Sequence, residues 1–122
     1  MSWSESLIKL ATYEVESRQL QLAEITRRLV GAELRLAMLH AEGEAEARRA
    51  AEDPNAGWYH MGYSGGLRAR KAIIQAEIDA MRAEERGARG ALAQAVEEQK
   101  KYEHVAQSLR LAAVKETNRR ET

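Results

Sequence analysis

Metal or acid–base chemistry in this chain would have to start from His40, His60 and His104, because no cysteine is present. His40 and Glu44 are four residues apart and share a helix face, but they make two ligands where a catalytic zinc needs three protein ligands and a structural zinc four. None of the histidines follows the Glu-x-x-His spacing of di-iron helical bundles. There is no glycine-rich phosphate loop, nucleophile elbow or pair of carboxylates spaced for a cleft. The sequence therefore predicts no catalytic residue, no metal site and no cofactor. The side chains that remain are of the kind that bind other proteins.

Two groups stand out. The stretch EEQKKYE, Glu97 to Glu103, sets one tyrosine among six polar residues. The segment DPNAGWYHMGYSGG, residues 53–66, gathers Trp58, Tyr59, Met61 and Tyr63, a cluster of the residue types that anchor protein interfaces. Folding back to cap the end of a hairpin is the plainer role for that cluster, and both roles can hold together.

The elements that position these groups are helices. Residues 2–52 contain no proline, and Ser2 with Glu5 has the spacing of a capping box. From there a 3-4 repeat runs through Ile8, Ala11, Val15, Arg18, Leu22, Ile25, Leu29, Ala32, Leu36, Leu39 and Gly43, which is the seam of a coiled coil. A second repeat runs from Leu67 through Lys71, Ile74, Ile78, Met81, Glu85, Ala88, Leu92, Ala95, Gln99, Tyr102, Ala106, Leu109 and Ala113. It is interrupted by polar residues, and Gly87 and Gly90 soften it at about 1 kcal/mol each relative to Ala. Glu-to-Arg or Glu-to-Lys spacings of four, such as Glu14/Arg18 and Glu97/Lys101, support both helices.

Pro54 and the glycines at 57, 62, 65 and 66 separate the arms. The prediction is an all-α chain, one antiparallel coiled-coil hairpin over residues 1–122: helix 1 over about 3–52, a tip over 53–66 and helix 2 over about 67–118. In an antiparallel pair, facing seam residues have numbers with a constant total. A total near 117 pairs Ile8 with Leu109, Val15 with Tyr102, Ile25 with Leu92 and Leu39 with Ile78. It also sets Arg18 opposite Gln99 and Glu46 opposite Lys71, so that polar seam residues meet polar partners. Gln99 and Tyr102 then point inward, while Glu98, Lys100, Lys101 and Glu103 point outward.

Composition agrees with this picture and excludes others. Nineteen basic and nineteen acidic residues cancel, which leaves no basic surface of the kind that grips nucleic acid. No apolar run is long enough to span a bilayer, and the first residues do not read as a signal peptide. A cytoplasmic protein is expected.

With two heptad helices, a break carrying scattered aromatics, and Glu97-x-x-Lys100-Lys101-Tyr102-Glu103 late in the second helix, the chain resembles the FliJ family of flagellar type III export. The resemblance covers nearly the whole chain. It implies a non-enzymatic stalk and general chaperone, cytoplasmic and peripherally associated with the export apparatus at the inner membrane. The expected partners are the hexameric export ATPase, the membrane protein of the export gate, and export chaperones. On this resemblance Arg18, Gln19, Lys100, Lys101 and Glu103 fall on the half that faces the ATPase. Trp58, Tyr59, Met61 and Tyr63 fall toward the gate. The alternative is a self-associating scaffold or adaptor unrelated to export, with Leu10, Leu20, Ile73 and Val96 as a second interface beside the seam.

Overall fold

The computed structural model describes residues 2–55 and 57–122. Two long helices, α1 over Trp3–Glu52 and α2 over Gly57–Glu121, form an antiparallel hairpin. The start of α1 is fixed by a reciprocal cap: the Glu5 amide donates to Ser2 Oγ at 3.2 Å, and the Ser2 amide donates to Glu5 Oε2 at 3.4 Å. At its other end, Asp53 Oδ1 accepts from the Asn55 amide at 3.0 Å, a local turn that lets the chain reverse at Pro54.

The structure departs from the sequence expectation at the tip. Helix α2 resumes at Gly57, so residues 57–66 are its first turns and not part of an irregular tip. None of the glycines among the described residues has a positive φ, and those at 57, 62, 65 and 66 are tolerated as ordinary helical residues. Among the described residues the break is therefore confined to 53–55, and α2 has 65 residues against 50 in α1.

That shift moves the register by one heptad. The chain divides into two compact units, Met1–Ala23 with Arg86–Thr122, and Glu24–Glu85. Within Glu24–Glu85, Ile78 (1 % exposed) packs with Ala32 (0 %) and Leu29, and Leu36, Ile74 and Met81 close over them. The pairs Ala32/Ile78, Leu36/Ile74 and Leu29/Met81 each total 110, not 117. Leu39 accordingly does not face Ile78. A large side chain set against alanine is the packing a narrow two-helix seam needs.

The flanks of this seam explain why 110 prevails. Arg28 pairs with Glu84 at 3.0 Å, Arg35 with Glu77 at 3.3 Å and Arg70 with Glu42 at 3.8 Å. Each of these pairs totals 112, two above the seam pairs on the same layers. Sliding to the expected register would bring Glu42 opposite Glu77 and Arg49 opposite Arg70. A surface ion pair contributes at most about 1 kcal/mol, but three rungs that turn partly repulsive on slippage discriminate between registers that the apolar repeat alone leaves nearly equal.

In the unit Met1–Ala23 with Arg86–Thr122, Ala11, Val15, Ala95 and Ala106 are buried. Gln99 Nε2 donates to Thr12 Oγ1 at 3.1 Å, which gives this unit the same register. Gln99 is thus satisfied beside the seam and not by Arg18, which donates to Glu14 at 2.8 Å and Gln21 at 3.2 Å on its own helix. Leu109 and Ala113, expected in the seam, are exposed, because in this register Ala106 already faces Ser4 at the start of α1.

Candidate functional site

The first surface belongs to the unit Glu24–Glu85. Trp58, Tyr59 and Met61 are 68 %, 64 % and 77 % exposed on the first turns of α2. The Trp58 and Tyr59 ring centroids are 3.8 Å apart with planes tilted by 30°, so two aromatic faces make one platform. These three residues do not fold back to cap the hairpin. Tyr63 does: half-buried, its hydroxyl donates to Glu42 Oε1 at 2.6 Å, and that bond raises its pKa above the usual tyrosine value.

A groove of about 460 Å³ lies in the same unit, lined by Met38, Leu39, Ile73 and Ile74 and rimmed by Arg35, Glu42, Arg70 and Glu77. Its rim charges are already matched, Arg35 with Glu77 and Arg70 with Glu42. What it offers a partner is the exposed apolar pair Met38 and Ile73.

The second surface belongs to the unit that holds the termini. Arg18 is half-buried and engaged with Glu14, while Gln19, Lys100, Lys101 and Glu103 are exposed. Tyr102, the one tyrosine of EEQKKYE, is tied to its own helix. Its ring is half-buried, and its hydroxyl donates to Glu98 Oε1 at 3.1 Å, one turn back on α2. Glu98 holds the phenol proton and pushes the Tyr102 pKa up. With Leu10, Ala11, Glu14, Arg18, Ala91, Gln94 and Ala95 it lines a groove of about 340 Å³.

Two features escaped the sequence reading. From residue 107 onward every position of α2 except Glu116 is exposed, and Leu109, Leu111 and Val114 are 46 %, 56 % and 56 % exposed. Leu109 continues the seam, while Leu111 and Val114 lie round the helix from it, so this tail is apolar on more than one side. The signal was available in the unequal lengths of the two arms once α1 ends at Glu52 and α2 starts at Gly57. The other is the extent of the outer face of α1, where Trp3 and Tyr13 join the expected Leu10 and Leu20 and all four are exposed. Of the residues expected to form an interface beside the seam, Leu10, Leu20 and Ile73 are exposed, but Val96 is half-buried.

Among the described residues no three His, Asp or Glu side chains are grouped to hold a metal ion, and no helix is long and apolar enough to cross a membrane. Fold and surfaces together define a class: a helical-hairpin coiled coil with exposed apolar and charged faces. Comparison with known proteins narrows this. Over 116 residues, 95 % of this chain and 84 % of the relative, the sequence is 48 % identical to the flagellar FliJ protein of Caulobacter vibrioides strain NA1000 / CB15N, and equally to that of strain ATCC 19089 / CIP 103742 / CB 15. The chain belongs to the FliJ family. No family profile and no solved structure matches it.

Proposed function

We propose that the chain is a non-enzymatic stalk and general chaperone of the flagellar export apparatus. It works in the cytoplasm, peripherally associated with the inner membrane, and links the hexameric export ATPase to the export gate. Family membership supports the flagellar role. The observation that carries the more specific reading is the tail of α2. A helix that exposes apolar residues on more than one side is suited to a setting that surrounds it, such as the central opening of a ring. Alone in water a helix of that length is marginal, so a surrounding partner would stabilise it as well as bind it.

In this reading the unit with the termini meets the ATPase. Leu111 and Val114 lead, and Arg18, Gln19, Lys100, Lys101 and Glu103 form the polar surround. The Trp58–Tyr59 platform with Met61, supported by Tyr63, meets the gate protein, and export chaperones dock on the exposed faces between. The test uses two variants. Leu111→Asp with Val114→Asp is expected to abolish co-purification with the hexameric ATPase while helicity by circular dichroism is kept. Trp58→Ala with Tyr59→Ala is expected to keep ATPase binding but impair swimming. Full ATPase binding by the first variant would refute ring insertion, and normal swimming by the second would refute a gate-binding platform.

A further inference from the structure

The outer face of α1 carries a second heptad stripe of its own. Trp3, Leu10, Tyr13 and Leu20 are 62 %, 66 %, 71 % and 73 % exposed, and Ser6 and Ser17 complete the repeat between them. The spacing 3, 6, 10, 13, 17, 20 alternates three and four, as a coiled-coil seam does. The stripe is bounded: its next two positions are Glu24 and Arg27, which bond to each other at 2.7 Å. Among the described residues its four large side chains are left exposed, and Ser17 is half-buried.

The order of residues along this stripe specifies its occupant. When two copies are laid antiparallel with facing numbers totalling 23, Trp3 meets Leu20 of the second copy, Leu10 meets Tyr13 and Ser6 meets Ser17. Every large side chain faces a large one, and the small polar pair fills the remaining layer. The hairpin's own ion pairs supply an independent check. Arg28–Glu84, Arg35–Glu77 and Glu42–Arg70 lie at totals two above their seam. The same offset applied to the second stripe brings Lys9 opposite Glu16 of the other copy, twice by symmetry. Neither Lys9 nor Glu16 has an ion-pair partner within its own chain among the described residues. The like-charge contact of this arrangement is Glu14 near its symmetry mate, where each carboxylate already accepts from its own Arg18 at 2.8 Å.

We infer that two copies of this chain associate antiparallel through the outer face of α1, in the register that sets Leu10 against Tyr13 and Lys9 against Glu16. An isologous contact needs a self-complementary patch, and this stripe reads alike in both directions. Three heptads make a short seam, so the dimer is weak and reversible and competes with partners that need the same end of the molecule. The inference stands apart from the stalk reading, because it uses neither the tail of α2 nor the aromatic platform.

The test is sedimentation equilibrium of the whole protein across micromolar concentrations, together with charge-swapped variants. Lys9→Glu and Glu16→Lys are each expected to weaken dimerisation roughly tenfold. The double variant, which rebuilds both rungs in reverse, is expected to recover it. A second measurement avoids any dependence on folding energetics. The chain has no cysteine, so Ser6→Cys and Ser17→Cys proteins mixed and oxidised are expected to yield a cross-linked dimer, whereas either alone is not. A monomer at all concentrations, a dimer indifferent to the charge swap, or equal cross-linking by Ser6→Cys alone would overturn the proposal. The ATPase and swimming experiments above would be unaffected.

Discussion

Gly43 and Leu67 are a matched pair across the hairpin: a Cβ placed on Gly43 would lie 2.6 Å from Leu67 Cδ2, inside any real contact distance. The glycine that breaks the apolar repeat of α1 is the hole that receives the first buried leucine of α2. Leu67 is 7 % exposed, so its Cδ2 has to shift within the packed seam to admit another carbon.

The two glycines of α1 should therefore respond oppositely to alanine. Gly31 has nothing within 4 Å of an added Cβ, and Gly31→Ala is expected to stabilise by about 1 kcal/mol through helix propensity alone. Gly43→Ala gains the same propensity but overpacks Leu67, which costs about 1–3 kcal/mol. Its expected outcome is a net loss of about 1 kcal/mol. Urea unfolding followed by circular dichroism measures both, and a gain for Gly43→Ala equal to that for Gly31→Ala would show that the fit is loose.

Ile78 is the most enclosed large side chain, at 1 % exposure against Ala32 at 0 %. Ile78→Ala is expected to destabilise by about 2–4 kcal/mol, since the backbone of a hairpin pinned by flanking ion pairs cannot fully close the cavity. Ile73→Ala, five positions earlier and 62 % exposed, is expected to change stability by less than about 0.5 kcal/mol. The contrast in urea midpoints reports on the seam and not on general helix propensity.

Most of the seam was legible in the sequence because burial follows the 3-4 repeat. Every position from Ile8 to Gly43 and from Leu67 to Ala106 that the repeat selects is buried or half-buried. The register was not legible from the seam alone, because a heptad slip exchanges one apolar partner for another. What fixes it lies outside the seam, in the charge order Arg28, Arg35, Glu42 against Glu84, Glu77, Arg70 and in the tight break after Glu52. Reading glycines 57, 62, 65 and 66 as breakers moved the centre of the hairpin outward and shifted the pairing with it. At the candidate surfaces, residue type was enough to locate Trp58, Tyr59 and Met61. The tail of α2 needed the correct register first.

The register itself can be checked by engineered disulfides in a chain that has no cysteine of its own. Thr12→Cys with Gln99→Cys replaces two side chains that hydrogen-bond at 3.1 Å and is expected to close readily under mild oxidation. Val15→Cys with Tyr102→Cys belongs to the slipped register and is expected to stay reduced, its two positions being displaced by about a heptad along the helix axes. Non-reducing electrophoresis separates the cross-linked hairpin from the open chain. Closure of the second pair in preference to the first would move the whole seam back by seven residues.

Tyrosine ionisation offers a final measurement, one that reads both surfaces in a single titration. Tyr63 and Tyr102 each donate a hydroxyl proton to a carboxylate, Glu42 and Glu98, and for both the hydrogen bond is the leading cause of a raised pKa. The proton is held in the folded state more tightly than in the unfolded chain, where tyrosine titrates near 10. Any stability these bonds contribute is thus fully present below about pH 10 and is lost as the pH rises through the folded-state values. Ultraviolet absorbance in alkali is expected to show a late-ionising component. Glu98→Gln should return Tyr102 toward the ordinary value and Glu42→Gln should do so for Tyr63, while circular dichroism at neutral pH stays unchanged. If neither substitution moved the late component, the two hydroxyls would not be bonded as described, and Tyr102 would be an ordinary seam residue with no tie to Glu98.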